Sequence, residues 1–151
     1  GGGFQLTLGS DIRFVHPETK LSIMEAKWGL IPDMGGTPVM RAIASEDILR
    51  ELSYTARIFS GEQAKEYGFA THVSESPYDD AMALAREIAE RSPSSVKRSK
   101  KMFNALFDAT DAEALLTESV LQDEIIGKPN QVEAVKAGME KRVGNFSDTS
   151  D

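Results

Sequence analysis

The stretch Gly29-Leu30-Ile31-Pro32-Asp33-Met34-Gly35-Gly36-Thr37 sets three glycines and one proline within nine residues. Regular helix or strand does not run through such a segment, so the sequence predicts a loop over 29–36 and a helix from Thr37 to Ala44. Upstream, Ile12-Arg13-Phe14-Val15 and Lys20-Leu21-Ser22-Ile23 read as short strands on either side of a turn at His16-Pro17-Glu18-Thr19. Their β-branched and aromatic content and their flanking turns support both. Phe4 to Ser10 reads as a short helix opened by Gly1-Gly2-Gly3. Downstream, a helix is expected from Glu46 to Tyr54. Ser60-Gly61-Glu62-Gln63 has the form of a capping box for a helix through Tyr67, with Gly68 at its C′ position. Ala70 to Val73 completes a mixed α/β stretch over residues 1–75.

Residues 76–146 read as helices only. Ser76-Pro77 and Ser92-Pro93 each place a cap before a proline suited to the first helical position. Thr110-Asp111-Ala112-Glu113 is a second capping box, and Gly127-Lys128-Pro129 ends one helix and begins another. Residues 147–151 read as a short polar tail that frays. The apolar faces of these helices exceed what a domain of this size needs for its own core.

Composition narrows the chemistry. The length of 151 residues fits one sizeable core rather than two domains. The absence of cysteine excludes a disulfide frame, a thiolate nucleophile and Cys-ligated metal. His16 and His72 stand far apart without an HExxH pattern, which argues against a zinc hydrolase. A net charge of −7 argues against nucleic acid as partner. No apolar run is long enough to cross a membrane, and no charged start leads into an apolar segment, so a cytoplasmic protein is expected.

Two carboxylates and one glycine run stand out. Three glycines before a helix allow close backbone approach, and the helix N-terminus offers free N–H groups to a phosphate or an oxyanion. The plain alternatives are turn glycines or a linker. Glu25 lies among Ile23, Met24, Ala26, Trp28, Leu30 and Ile31. It reads either as an acid–base carboxylate in apolar surroundings or as a solvated strand-edge residue paired with Lys27. Asp33 reads either as a second carboxylate or as a turn residue after Pro32. Trp28 reads as core or as a pocket wall. The Lys97-Arg98-Ser99-Lys100-Lys101 run reads as a solvated helix face or as a contact for a polyanionic ligand.

Taken together, these segments resemble the enoyl-CoA hydratase/isomerase family, or crotonase superfamily. The resemblance rests on Gly1-Gly2-Gly3, Asp11-Ile12-Arg13, Glu25 and the 29–37 loop. It extends through Thr55-Ala56-Arg57-Ile58-Phe59-Ser60 with Ala64, Gly68 and Val73, where the family carries a Thr-Gly-Arg start. It ends at Met139-Glu140-Lys141-Arg142 with Asn145-Phe146. The resemblance implies an α/β, crotonase-like β-β-α spiral core, of which this chain is the C-terminal part. A helical trimerisation region follows. The partners implied are an acyl-CoA thioester, a homo-trimer or dimer of trimers, and a missing N-terminal part of the same subunit.

Residue by residue, the resemblance makes the Gly2 N–H an oxyanion donor and Glu25 the acid–base residue. Lys141 becomes a CoA contact, reached in some cases from a neighbouring subunit. Family hydratases carry one glutamate at the position of Gln5 and a second at that of Glu25. Gln5 cannot relay a proton, but it can position substrate or water. Asp33 falls where dienoyl-CoA isomerases of the family carry an aspartate. The expected function is therefore an enzyme of fatty acid metabolism and β-oxidation type, with alkene isomerisation favoured over hydration. The alternatives are hydration through Glu25 alone, or a non-catalytic acyl-CoA-binding subunit. No cofactor beyond the CoA of the substrate is expected.

Overall fold

The computed structural model describes residues 1–148. The chain divides into two compact units, Gly1–Met82 and Ala83–Asp151, with the boundary inside a helix. In the first unit the order is α1 (Gly2–Thr7), β1 (Phe14–Val15), a 3-10 turn (Glu25–Trp28), α2 (Gly36–Ile43), α3 (Glu46–Thr55), α4 (Gly61–Glu66) and β2 (His72–Val73). The two strands pair in parallel, Phe14 opposite His72 and Val15 opposite Val73.

The core of this unit is aromatic. Phe4 of α1 meets Phe59 and Phe69 edge-on, at ring-centroid distances of 5.7 and 5.1 Å. Leu8, Ile23, Met40, Leu52, Ala64 and Ala70 fill in around them. T-shaped pairs of this kind add about 0.5–1.5 kcal/mol each beyond burial. Three tethers then fix the loops. Leu21 and Phe59 exchange both backbone hydrogen bonds at 2.9 Å. Arg13 donates through Nε to the Phe69 carbonyl at 2.6 Å. Ser22 Oγ donates to the Ala56 carbonyl at 3.0 Å. Ala56 closes α3 at φ 51°, a left-handed conformation that glycine accepts more easily.

The strands are shorter than the sequence suggests. The stretch 20–23 forms only the single antiparallel bridge at Leu21, because Phe59 alone lies opposite it. The first helix starts within the glycine run, at Gly2, and ends at Thr7 rather than Ser10. Trp28 is not core: it is 68% exposed, and Lys27 lies over its ring at 5.1 Å.

Helix α5 (Pro77–Ala89) crosses the boundary, and α6 (Pro93–Ala105), α7 (Asp111–Asp123) and α8 (Pro129–Glu140) build the second unit. Helix α6 packs against both α7 and α8. Buried Asn130, in the first turn of α8, donates to Ser94 Oγ at 3.1 Å and to the Ser147 carbonyl at 2.8 Å. It accepts from the Ser147 N–H at 3.0 Å. Of the tail expected to fray, Ser147 is therefore clamped and Asp148 pairs with Lys97 at 3.2 Å; residues 149–151 lie outside the described residues. Helices α7 and α8 also expose Leu115, Leu116, Val120, Val132, Val135 and Met139. Among the described residues no helix is long and apolar enough to cross a membrane.

Candidate active site

Helix α1 carries Gln5 inward on the turn next to Phe4, so the aromatic core that buries Phe4 also buries Gln5 to 3% exposure. Twenty positions later the 3-10 turn opens on Glu25, itself 9% exposed. Gln5 Nε2 donates to Glu25 Oε1 at 2.7 Å. The amide oxygen of Gln5 accepts from the backbone N–H groups of Met34 and Gly36, each at 3.1 Å. One side chain thus joins α1, the 3-10 turn and the end of the 29–36 loop.

Glycine is needed at the crossing. A Cβ on Gly36 would lie 2.8 Å from both Cγ and Oε1 of Gln5, and 2.7 Å from Met40 Cε. The preceding Gly35 has φ 76°, and Gly29 closes the 3-10 turn at φ 70°.

Among the described residues, Glu25 Oε2 is the buried side-chain oxygen that has no hydrogen-bond partner. An unsatisfied buried polar atom costs about 1–3 kcal/mol and in native proteins calls for an explanation in function or strain. Glu25 is thereby placed as a buried carboxylate held by one oxygen. The strand-edge alternative is wrong, and Lys27 is not its partner.

Gly2 begins α1, and a Cβ there would come within 3.6 Å of Met34 Cγ. An open cleft of about 430 Å³ runs past Gly1, Gly2 and Gly3, bounded by Ser22, Met24 and Ile58. Met24, which lines this cleft, directly precedes Glu25. Asp33 is exposed on the same loop. Lys141 belongs to the second unit, where it caps α8 at φ 54°. There it lines a cavity of about 470 Å³ with Arg91, Gly138, Gly144 and Phe146. In the 97–101 run, Arg98 is engaged by Glu124 at 2.7 Å. The sequence reading missed the Gln5–Glu25 bond and the clearance role of Gly36; the doubled glycine at 35–36 was the available signal.

Comparison with known proteins bears on this arrangement. The enoyl-CoA hydratase/isomerase family pattern matches residues 1–149. Mouse mitochondrial methylglutaconyl-CoA hydratase is 30% identical over 148 residues, covering 94% of this chain and 47% of that protein. The mitochondrial enoyl-CoA hydratase domain-containing protein 2 of Bos taurus is 29% identical, covering 97% and 51%. This chain spans about half the length of such relatives, and their mitochondrial names give no support to the cytoplasmic location expected from the sequence. The crystal structure of enoyl-CoA hydratase from Bacillus anthracis superposes with a TM-score of 0.92 at 28% identity, covering 97% of this chain and 57% of that one. A probable enoyl-CoA hydratase/isomerase from Mycobacterium abscessus superposes at 0.94 with 23% identity, covering 99% and 60%, a likeness of fold. With a buried, half-satisfied glutamate behind a glycine-started helix, and a pattern match along nearly its whole length, the chain belongs to the enoyl-CoA hydratase/isomerase family.

Proposed function

We propose that this chain supplies the base and one oxyanion donor of an enzyme acting on acyl-CoA thioesters. The observation that carries the reading is Glu25: a buried carboxylate with one oxygen held by Gln5 and the other unpartnered, beside the glycine-started helix α1. A thioester carbonyl acidifies its α-carbon. Glu25 removes the C2 proton of a 3-enoyl-CoA, and the electron pair moves onto the thioester oxygen. The Gly2 N–H, with a second donor from outside this chain, holds the resulting oxyanion. The same carboxyl returns the proton at C4, leaving the double bond between C2 and C3. Loss of one such N–H donor typically costs about 3–4 kcal/mol of transition-state stabilisation.

Gln5 favours this one-carboxylate route, since an amide cannot exchange a proton. Hydration is the second reading, favoured by the relatives named hydratases. There Glu25 would deprotonate a water whose oxygen adds to C3 while C2 takes a proton. Asp33 is the reserve carboxylate for dienoyl substrates. Lys141 is read as a contact for the CoA phosphates, brought by a neighbouring subunit. A trimer or dimer of trimers would cover the exposed apolar faces of α7 and α8, and the chain would form the C-terminal part of the family's spiral.

The test is product analysis of the full native chain with 2-enoyl-, 3-enoyl- and 3,5-dienoyl-CoA, alongside Glu25→Gln. Glu25→Gln is expected to lower turnover by about 10²–10⁴-fold with acyl-CoA binding retained. A loss below threefold moves the base elsewhere, with Asp33 first to examine. Binding without turnover in the native protein would establish a non-catalytic acyl-CoA-binding subunit instead.

A further inference from the structure

We infer that Gln5 is a positioning residue that acts through Glu25, holding Oε1 so that Oε2 is the oxygen that exchanges protons with substrate. The inference rests on the reading of Glu25 as the base. It begins with the orientation of the amide. Two backbone N–H groups, of Met34 and Gly36, converge on one terminal atom of Gln5 at 3.1 Å. That atom must be the oxygen, because two donors cannot face an NH₂ group. The nitrogen then faces Glu25 and donates to it at 2.7 Å. The direction of the hydrogen bond follows from the backbone.

The side chain has little other room. Gln5 is buried, and the missing Cβ of Gly36 is the space that Gln5 Cγ and Oε1 occupy. Both lone pairs of the amide oxygen are taken, so that oxygen has no acceptor capacity left for a water or a substrate hydroxyl. Any positioning of substrate or water by Gln5 then falls to its second amide N–H, since the first goes to Glu25. What remains is a rigid arm from α1 that satisfies one carboxylate oxygen and leaves the other without a partner. A base held this way presents one oxygen in one direction, which suits taking a proton from one carbon and returning it to another on the same face of the substrate.

The experiment uses Gln5→Met, similar in length but without a donor, in the full native chain, in wild-type and Glu25→Asp backgrounds. Aspartate is one methylene shorter, so its carboxylate withdraws from Gln5 while keeping residual activity to measure. The assays are kcat and KM for 3-enoyl-CoA and solvent-deuterium exchange at C2 of a saturated acyl-CoA. Gln5→Met is expected to lower kcat and exchange about 10–100-fold, the scale of a small misplacement of a catalytic group. KM should stay within twofold, and the loss in the Glu25→Asp background should be under threefold, the non-additivity expected of residues acting as one unit. Equal losses in both backgrounds, or no loss, would overturn the inference. Full activity in Glu25→Gln would instead overturn the assignment of the base. A crystal structure of the native chain with a bound acyl-CoA analogue decides the matter independently of any variant. Oε2 toward C2 with Gln5 on Oε1 supports the inference, and Oε1 toward the substrate refutes it.

Discussion

Replacing Gly36 by alanine tests the site without touching either of its polar side chains. Gly36 is the first residue of α2, where alanine is the better helix former by about 0.5–1 kcal/mol. The new methyl, however, would sit 2.8 Å from Gln5 Oε1. Met40 Cε, at 2.7 Å, is the tip of a flexible side chain and can swing aside. Gln5 Oε1 cannot move without cost, because it accepts from Met34 and Gly36 at 3.1 Å. A retreat of roughly half an ångström restores a tight contact but stretches both hydrogen bonds to about 3.6 Å, beyond useful length. Two bonds at about 0.5–1.5 kcal/mol each amount to about 1–3 kcal/mol. Net of the helix gain, Gly36→Ala should destabilise by up to about 2.5 kcal/mol, a few degrees in Tm for a chain of this size. Because Gln5 carries Glu25, kcat should fall tenfold or more with KM nearly constant. Calorimetry and steady-state kinetics on the same preparation check both. A variant at least as stable as wild type with unchanged kcat would mean that Gln5 is not confined by Gly36.

Three further outcomes are expected. Ala56→Gly should raise stability by about 0.5–1 kcal/mol in denaturant melts, because Ala56 sits at φ 51°; an unchanged or lower midpoint would contradict this. Arg142 and the Asn145 N–H hold the Glu133 carboxyl down from its ordinary 4.5 to about 2. Its stabilising effect is therefore present above pH 4.5 and is lost as pH falls toward 2. Glu133→Gln should flatten Tm against pH across that window, and an unaltered profile would refute the pairing. Gly61→Ala should be severely destabilising, since its Cβ would lie 2.1 Å from the His16 carbonyl oxygen, a backbone atom with no rotamer to change; a Tm within two degrees of wild type, measured by calorimetry, would refute that.

Local signals in the sequence were reliable where the physics is local. The Ser60 and Thr110 capping boxes close as expected, with Gln63 and Glu113 answering the cap N–H groups at 3.0 and 2.8 Å. Pro77, Pro93 and Pro129 each begin a helix. What depends on distant partners was not legible. The partner that meets the buried Glu25 is Gln5, twenty positions away, and no periodicity carries that information. Asn130 and Ser147 meet across seventeen positions for a similar reason. Trp28 misled because a large apolar residue near a buried one need not share its environment. The resemblance to a family named Gln5 and Glu25 together; the direction of the bond between them is set by the Met34 and Gly36 N–H groups on the amide oxygen.

The edge-on packing of Phe4 against Phe59 and Phe69 has a consequence for heat inactivation. Gln5 follows Phe4 on a helix of six residues, so the rings that fix Phe4 also fix the backbone of the arm that holds Glu25. It borrows the stiffness of the three rings. Loosening of those rings should therefore loosen the site as well. On slow heating, catalytic activity and near-ultraviolet aromatic dichroism should vanish along one curve, with no folded but inactive species between them.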